Sequence, residues 1–391
     1  MLEAKDRKIL CITNDFGPRA GGIETFLIGL IERLPGSSVI VYCSQQGDTQ
    51  AYDQAWLKDF GVEVIRDRSR ILLPSLRVGK RVRRLLRERQ IETVFFGAAA
   101  PLALLSQGLR RAGARRIIAL THGHEVWWSK IWPFSLMLRR IGYGVDHLTY
   151  LGEFTRRKIS SSLTKSQAAA MVKIAPGIDT NHFAPPTSPD TLRSELGLLD
   201  KKVVLCVGRL VHRKGQDVLI DAMVEISKVV SNAHLVLIGE GPYRKDLENR
   251  ARKAGVTDRI TFIGRIRYAE LPRYIAIGDI FAMPARSRFA GLEVEGLGIV
   301  YLEASACGLP VVGGDSGGAP DAVLHGETGL VVDGRSERAV AKAITELLLD
   351  PKRAREMGTQ GRIWVEENWN WQLWAERFKN LLLEDQPSVP R

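Results

Sequence analysis

Residues 8–34 read KILCITNDFGPRAGGIETFLIGLIERL, and this stretch decides the fold class. It begins with an apolar run typical of a buried strand, passes through a loop containing Gly21 and Gly22, and ends in an amphipathic helix. Residues 203–226, VVLCVGRLVHRKGQDVLIDAMVEI, repeat the order of strand, glycine-containing loop and helix. This order opens a doubly wound parallel sheet. The sequence therefore predicts an α/β protein with two such domains.

Short β-branched runs alternate with amphipathic segments along the rest of the chain, which is typical of βα units. Strands are predicted at Lys8–Thr13, Ser38–Cys43, Val62–Ile65, Thr93–Phe96, Arg116–Leu120, His147–Tyr150, Val203–Val207, Leu235–Ile238, Ile260–Ile263, Ile280–Met283, Pro310–Val312 and Gly329–Val332. A proline-rich segment, residues 175–190, separates the halves. We therefore expect domains at 1–182 and 183–370, facing each other across a cleft, with helix 371–391 packing back on the first.

The composition excludes several classes of protein. The 391 residues are 45% hydrophobic and 26% charged, which suits two globular domains. The four cysteines are too far apart to suggest a zinc ribbon or a disulfide framework, so a reduced, cytoplasmic compartment is expected. No stretch has the pattern of a signal peptide or the 18 or so consecutive apolar residues of a membrane span.

The net charge of +12 is concentrated in the first half of the chain. Residues 1–190 contain 28 Lys and Arg against 17 Asp and Glu, whereas residues 191–391 contain 28 against 27. Such asymmetry indicates that one half faces a polyanionic surface, either nucleic acid or acidic lipid.

Two loops have the composition of phosphate sites. Gly21 and Gly22 precede a helix, where bare amides bind anions, although a tight turn without a ligand fits equally well. The loop lacks the Gly-x-Gly-x-x-Gly spacing of dinucleotide dehydrogenases. In the second loop Arg209 and Lys214 offer two cations for a diphosphate, each charge-assisted bond contributing about 1.5–3 kcal/mol. The alternative is a solvated cationic turn.

Residues 291–310, GLEVEGLGIVYLEASACGLP, combine carboxylates with a helix start. Glu295 lies in a glycine-rich turn, and Glu303 lies roughly two turns into a helix predicted to begin near Gly298. Carboxylates accept hydrogen bonds from sugar or ribose hydroxyls, while helix-start amides bind phosphate. Glu303 could instead be a surface helix residue, but its small and apolar neighbours argue against full exposure.

These residues together resemble the retaining nucleotide-sugar glycosyltransferases of family 4, whose GT-B architecture has two facing Rossmann-like domains. The resemblance extends over essentially the whole chain and is most specific in EGLGIVYLEASACGLPVV (residues 295–312) and the loop Gly313–Pro320. Further stretches, including TNDFGPRAGGIETF, FFGAAAPLALL, THGHEVWWS, RLVHRKGQD, DIFAMPARSR and GLEVEGLGIVYLEA, are similar to actinobacterial phosphatidylinositol mannosyltransferases that add the second mannose. That similarity implies GDP-mannose as the donor.

The resemblance also implies roles for individual residues. Glu303 would hold the donor ribose and Glu295 the sugar hydroxyls, while Arg209 and Lys214 would neutralise the diphosphate. His122 would contact the transferred sugar near the reacting carbon, with His124 as the competing candidate. His122, Arg209, Lys214 and Glu295 are thus the expected catalytic residues. The other expected donor-binding residues are Gly21, Gly22, Gly208, Arg265, Gly296, Leu297, Gly298, Ile299, Val300 and Glu303.

Retaining enzymes of this kind are pictured with same-face attack, in which the leaving phosphate oxygen takes the acceptor's proton. The energetic task is then to stabilise charge on the departing diphosphate, for which fixed donors are worth roughly 2.7–4 kcal/mol each. Arg209 and Lys214 would do this. No Asp-x-Asp motif stands where it would hold a diphosphate-bound cation, so we expect no metal and no other cofactor.

Residues 77–89, RVGKRVRRLLRER, are predicted to form a basic amphipathic helix. Such a helix lies on an anionic bilayer, gaining about 1 kcal/mol per cation, or packs its apolar residues on its own domain. The charge asymmetry favours the membrane. Trp127 and Trp128 suit an interfacial loop or the protein core equally well. The candidate acceptor or membrane residues are Arg77, Lys80, Arg81, Arg84, Trp127 and Trp128.

We therefore expect a retaining α-mannosyltransferase, peripheral on the inner face of the cell membrane, that uses GDP-mannose and a phosphatidylinositol mannoside-type lipid acceptor. The alternative within transferases is a UDP-sugar-dependent enzyme with a polyprenyl-linked or soluble acceptor. A non-enzymatic polyanion-binding protein would explain the charge alone; no zinc finger or helix-turn-helix signature supports nucleic-acid binding. A glycoside hydrolase would use two carboxylates but has no need of the paired cations. The sequence leaves the oligomeric state open.

Overall fold

The computed structural model describes residues 7–19, 21–185 and 190–384. The chain divides into two compact units, one containing the residues up to Gly177 together with those from Trp371 onward, the other containing Ile178–Asn370. The division falls five residues before the boundary expected from the sequence. Each unit has its own parallel sheet with connecting helices. The predicted pair of Rossmann-like α/β domains is confirmed.

The described residues of the first domain form seven strands and eight α-helices before the chain passes to the second. The strands are β1 (Ile9–Thr13), β2 (Val39–Cys43), β3 (Glu63–Arg66), β4 (Thr93–Phe96), β5 (Arg116–Ala119), β6 (His147–Tyr150) and β7 (Val172–Lys173). The helices are α1 (Gly22–Ile31), α2 (Gln50–Phe60), α3 (Leu76–Glu88), α4 (Ser106–Arg110), α5 (Glu125–Lys130), α6 (Phe134–Gly144), α7 (Glu153–Ser160) and α8 (Lys165–Ala169).

The strands of the first sheet run in the order β3-β2-β1-β4-β5-β6-β7, with all neighbours parallel. Strand β1, in the interior of the sheet, is buried along its whole length, as expected for a strand covered on both faces. One core cluster joins Val82 of α3 to Leu138 and Ile141 of α6, so these helices cover the same face of the sheet.

The second domain is built in the same way. Its strands are β8 (Lys202–Val207), β9 (Ala233–Ile238), β10 (Ile260–Gly264), β11 (Ile280–Met283), β12 (Val311–Gly314) and β13 (Gly329–Val332). Its helices are α9 (Asp190–Glu195), α10 (Gln216–Val229), α11 (Arg244–Lys253), α12 (Leu271–Ile275), α13 (Ile299–Ala306), α14 (Glu337–Leu349) and α15 (Pro351–Asn368). The parallel strands are ordered β10-β9-β8-β11-β12-β13. Loops after β8 and β11 therefore meet at one edge.

The last described helix, α16 (Trp371–Leu383), belongs to the first domain. The Phe378 ring packs edge-on against Phe95 of β4, with ring centroids 5.2 Å apart. The Arg116 side chain donates a hydrogen bond of 2.8 Å to the carbonyl of Leu381. The remainder of the predicted helix, residues 385–391, lies outside the described residues. Within the described chain, no helix is long and apolar enough to cross a membrane.

Candidate functional site

Glu295 lies in a buried ion-pair cluster at the carboxyl edge of the second sheet. Its Oε2 atom is 2.7 Å from Lys214 Nζ and 2.7 Å from Arg213 Nη1. Both Glu295 and Lys214 are buried. Burial alone would raise the pKa of Glu295, but Lys214 and Arg213 together lower it below its ordinary value. The cluster therefore holds an ionised carboxylate between two cations.

A glycine-rich loop after β12 fixes the backbone of Glu295. The Gly318 N–H donates a hydrogen bond of 2.8 Å to the Glu295 carbonyl. The Ser316 hydroxyl accepts one of 3.3 Å from the Glu295 N–H. Gly317 has φ +59°, and a Cβ there would overlap the Glu295 carbonyl oxygen. Only a residue without a side chain fits this approach, which explains the small residues that the sequence places here.

The start of α13 supplies backbone amides beside this carboxylate. Gly298 caps the helix with φ +77°, and no side chain makes a capping hydrogen bond. The first turn contains no acidic residue. The amides of Ile299 and Val300 at a helix N-terminus favour an anion. Leu297 and Val300 themselves are buried, so their predicted role rests on the backbone.

Glu303 is the second buried carboxylate of the cluster. Burial raises its pKa to about 7, and Lys214 offsets only part of that effect. Among the residues that the structure describes, its carboxylate has neither a hydrogen-bond nor an ion-pair partner. An unpaired buried carboxyl group is costly unless a ligand binds it. Glu303 is thus suited to accept hydroxyl hydrogen bonds.

Two predicted cations remain open to an incoming anion. Arg209 follows Gly208 at the end of β8 and is exposed, as is Arg265 after β10. Neither guanidinium is paired with a carboxylate in the described parts of the chain. Arg213, by contrast, was not singled out from the sequence. The sequence feature that could have identified Arg213 is the run His-Arg-Lys at 212–214. In the structure this run forms a 3₁₀ turn that directs Arg213 and Lys214 to Glu295.

His122 lies at the carboxyl edge of the first sheet, after β5. Its Nε2 atom is 2.5 Å from the Gly97 carbonyl, and its backbone N–H donates a hydrogen bond of 3.0 Å to Glu125. Because a carbonyl only accepts, Nε2 carries the hydrogen and Nδ1 is left as an acceptor. Burial lowers the pKa of His122, so the ring is neutral at physiological pH.

His124 lies beside His122, and a buried glutamate lies close to both residues. The two imidazoles are stacked with centroids 6.4 Å apart, and His124 Nε2 is 3.3 Å from Glu125 Oε1. Glu125 is fully buried. The sequence prediction missed Glu125, although the motif Thr-His-Gly-His-Glu contains it. The structure thus brings both candidate histidines together next to a buried carboxylate, which accepts a hydrogen bond from the His122 backbone and lies close to the His124 ring.

The glycine loop of the first domain differs from a bare anion site. Gly22 is exposed, and nothing lies within 4 Å of the position that its Cβ would occupy. However, a Cβ on Gly21 would overlap the Glu24 carboxylate, which forms an ion pair of 2.6 Å with Arg19. The start of α1 thus already faces an acidic side chain, which complements the helix dipole. A phosphate at Gly22 would share this end of the helix with Glu24.

Comparison with known proteins identifies the family. Residues 20–182 match the family model "Glycosyltransferase Family 4", and residues 189–364 match "Glycosyl transferases group 1". The chain is 47% identical to the GDP-mannose-dependent alpha-(1-6)-phosphatidylinositol monomannoside mannosyltransferase of Mycobacterium tuberculosis, over 97% of this chain and 98% of the relative. The chain belongs to the family 4 glycosyltransferases. The family predicted from the sequence is confirmed.

A second relative and two solved structures agree with this assignment. The glycosyltransferase is 42% identical to the GDP-mannose-dependent monoacylated alpha-(1-6)-phosphatidylinositol monomannoside mannosyltransferase of Corynebacterium glutamicum, over 96% of this chain and 98% of the relative. Anabaena Alr3699/HepE in complex with UDP has TM-score 0.79 at 20% identity, covering 96% of this chain and 99% of the other. Sucrose-phosphate synthase from Thermosynechococcus elongatus has TM-score 0.75 at 21% identity, covering 96% and 98%. The glycosyltransferase thus has their GT-B fold.

The predicted basic helix of the glycosyltransferase is α3, and its apolar residues do not face solvent. Val78, Val82, Leu85 and Leu86 are buried in the core of the first domain. The expectation that these four residues contact a bilayer is therefore wrong, because the core of their own domain covers them. Arg77 binds Asp67 at 2.7 Å, and Arg84 pairs with Glu88 at 2.6 Å. Lys80 and Arg81 are exposed.

The predicted tryptophans of the glycosyltransferase also lie mostly inside the protein. Trp128 is buried, and Trp127 is half-buried against the same core. Each ring packs against Phe134 with centroids 5.0 Å apart. Core packing thus accounts for these two residues, in place of the membrane contact considered for them. The exposed tryptophan of this segment is Trp132, with 76% of its surface accessible.

Proposed function

We propose that this glycosyltransferase transfers mannose from GDP-mannose to a phosphatidylinositol monomannoside acceptor, with retention of configuration. The observation that carries the proposal is the full-length identity to relatives named for that reaction. The buried ion-pair cluster of Glu295 supports it, because a nucleotide sugar needs both hydroxyl acceptors and diphosphate donors. Both kinds of group lie in the second domain.

The donor binds through groups with distinct tasks. Glu303 accepts the ribose hydroxyls, since its buried carboxylate has no partner among the described residues. Glu295 accepts hydroxyls of the mannose through the oxygen that its cations leave free. Arg209, Lys214 and the amides at the start of α13 bind the diphosphate. Lys214 then faces two anions, so it links donor binding to the orientation of Glu295.

The transfer needs no protein base. The acceptor hydroxyl oxygen forms a bond to the anomeric carbon on the face from which the phosphate leaves. The carbon–oxygen bond to the diphosphate breaks, and the acceptor's proton passes to the departing phosphate oxygen. Arg209 and Lys214 stabilise the negative charge that develops there, and fixed donors of this kind are worth roughly 2.7–4 kcal/mol each. Independence from metal stays a prediction of this scheme.

His122 contacts the transferred sugar near the reacting carbon. Its Nε2–H is engaged by the Gly97 carbonyl, so Nδ1 accepts a hydrogen bond from a mannose hydroxyl. His124 is the competing candidate. Replacing His122 by Ala is expected to lower kcat by at least tenfold, while His124→Ala lowers it less. The opposite order would reverse the assignment of the two histidines.

The enzyme works at the inner face of the cell membrane as a peripheral protein. A lipid acceptor requires a bilayer contact, and the first domain holds nearly all of the excess positive charge. Lys80 and Arg81 are exposed on α3. Leu76, the first residue of this helix, is 90% exposed. Exposed cations next to an exposed leucine suit an anionic lipid surface.

Calorimetric titration tests the donor directly. We expect GDP and GDP-mannose to bind with and without magnesium, and UDP and UDP-glucose to bind much more weakly. The Lys214→Met variant should lose GDP binding, whereas Lys228→Met, which removes an exposed cation of α10, should retain it. Preference for UDP would overturn the donor and favour a UDP-sugar enzyme with another acceptor. Absence of any nucleotide binding would leave only the polyanion-binding alternative.

A further inference from the structure

The outer side of α6 exposes large apolar residues to a degree unusual for the described part of this chain. Trp132, just before the helix, is 76% exposed, Leu136 51%, Met137 37% and Tyr143 63%. These four residues are called the α6 surface below. The opposite side of the helix buries Leu138 and Ile141 in the core. The helix is thus apolar on both sides, which is unusual for a helix at the protein surface.

The residues around the α6 surface are cationic. Lys130, Arg139 and Arg140 are exposed, and no Asp or Glu occurs between Glu125 and Asp146. Tryptophan and tyrosine have an apolar ring and a polar edge, so they are stable at a boundary between water and hydrocarbon. An aromatic and aliphatic surface with a cationic border is complementary to an anionic phospholipid bilayer.

The position of the α6 surface in the first domain also agrees with binding to a phospholipid bilayer. Helix α3 follows β3 and helix α6 precedes β6, so in a parallel sheet both helices begin at the carboxyl edge. Both cover the same face of the sheet. Between them lies the 3₁₀ turn Leu102–Leu105, whose Leu105 contacts the position of Gly79 on α3. Trp132 and the exposed cations of α3 therefore lie on one side of the first domain, towards the carboxyl edge of the sheet, where His122 follows β5.

We propose that the α6 surface binds the headgroup region of an anionic phospholipid bilayer and, together with α3, holds the carboxyl edge of the first sheet at the membrane. This inference rests on the proposed function, because a lipid acceptor is what brings the enzyme to a bilayer. Two separate membrane contacts on one side of the domain, at α3 and at the α6 surface, fix its orientation on the bilayer. A single cationic helix does not. The acceptor headgroup then reaches His122 without leaving the membrane.

Vesicle sedimentation with the full chain tests the proposal. The probe is a vesicle of phosphatidylglycerol and phosphatidylcholine, compared with phosphatidylcholine alone. The variant that combines Trp132→Ser, Leu136→Ser and Met137→Ser is called the α6 variant below. It should show at least tenfold weaker partition onto anionic vesicles, since interfacial binding increases with buried apolar area. The matched control combines Leu57→Ser, Val229→Ser and Leu349→Ser, which lie 57%, 60% and 57% exposed elsewhere. Equal partition of the α6 variant and the wild type would overturn the proposal.

A second measurement does not depend on loss of binding. The four native cysteines are buried, so an environment-sensitive fluorophore can be attached selectively in a Leu136→Cys variant. We expect its emission to shift to shorter wavelength on addition of anionic vesicles, with no shift for the same label in Leu57→Cys. A shift that needs no vesicles and increases with protein concentration would assign the surface to a second copy of the chain and overturn the proposal.

Separate assays distinguish this proposal from the proposed function. The α6 variant should bind GDP as the wild type does and should transfer mannose to a short-chain, dispersed acceptor within twofold of the wild-type rate. Its rate on acceptor embedded in vesicles should fall at least tenfold. If the wild type lacks GDP binding but the α6 variant still loses vesicle binding, the donor assignment fails and the membrane surface stands. Equal loss on both forms of acceptor would refute the membrane role.

Discussion

Replacing Lys214 by methionine removes one charge from the buried cluster and leaves the chain length of the side chain almost unchanged. Lys214 Nζ lies 2.7 Å from Glu295 Oε2, and only 9% of the residue is exposed. The same amine is proposed to bind the diphosphate of the donor. The substitution should therefore weaken both the cluster and the stabilisation of the leaving group.

The two losses have different magnitudes. Loss of one fixed donor to the developing phosphate charge costs about 2.7–4 kcal/mol, which corresponds to a roughly 10²- to 10³-fold fall in kcat/KM. For stability, Glu295 loses one of two charge-assisted contacts and retains Arg213 at 2.7 Å. A hydrogen bond to a charged group contributes about 1.5–3 kcal/mol. We expect the free energy of unfolding of the second domain to fall by that amount, and the domain to stay folded at room temperature.

Steady-state transfer and urea unfolding, measured on the same preparations, check both values. Lys228→Met is the matched control, because its amine is 62% exposed and pairs with Glu225 on the surface of α10. That control should keep wild-type kcat/KM and lose less than about 0.5 kcal/mol. A Lys214→Met enzyme within tenfold of wild-type kcat/KM would refute the role given to the buried cluster. So would an equal loss in both variants.

Three further outcomes are expected. Burial raises the pKa of Glu303 to about 7, and GDP binding favours the ionised carboxylate, so binding should strengthen as pH rises from about 6 to about 8. In calorimetry Glu303→Gln should abolish that pH dependence, and a variant that retains it would contradict the role of Glu303. Phe378→Ala should destabilise the first domain by about 3–5 kcal/mol in thermal unfolding, since the ring is fully buried. Leu57→Ala, at an exposed site, should leave the stability unchanged. A Phe378→Ala protein as stable as the wild type would contradict the packing of this ring. EDTA should leave the transfer rate unchanged, and a loss restored by magnesium would show a metal requirement.

The ionisation of Glu303 has a definite sign for stability. Its folded-state pKa, about 7, lies above the value of 4.5 of a free side chain. The protonated carboxyl therefore favours the folded state, and this contribution, present below about pH 4.5, is lost as pH rises through about 7. The free enzyme should become less stable over that range while its affinity for GDP increases. Bound nucleotide should remove the pH dependence of unfolding in this window.

Strands and glycine-containing loops were predictable because buried apolar runs end sharply at glycine or charged residues. The twelve predicted strands correspond to β1–β6 and β8–β13. The exception is β7, because a two-residue edge strand, Val172–Lys173, is too short to have a periodicity. Such an element depends on pairing with β6 rather than on its own sequence.

Side-chain environments were less predictable than the backbone. In WWSKIW, residues 127–132, the three tryptophans have equal propensity for core and interface, and only the packing of α5 against Phe134 buries Trp128 while Trp132 stays exposed. Arg213 and Lys214 carry the same charge in sequence, and the turn at 212–214 directs both to Glu295. These outcomes depend on tertiary geometry that no local pattern contains.

Mannosyl transfer from GDP-mannose to phosphatidylinositol monomannoside can be assayed on the intact enzyme. The most direct measurement incubates the full chain with labelled GDP-mannose and phosphatidylinositol monomannoside in anionic vesicles, then examines the lipid product by mass spectrometry and NMR. We expect a lipid one mannose larger, with an α-linkage that retains the configuration of the donor. Transfer only from a UDP-sugar, a β-linked product, or no glycosylated lipid from an enzyme that binds GDP would contradict the proposed transfer.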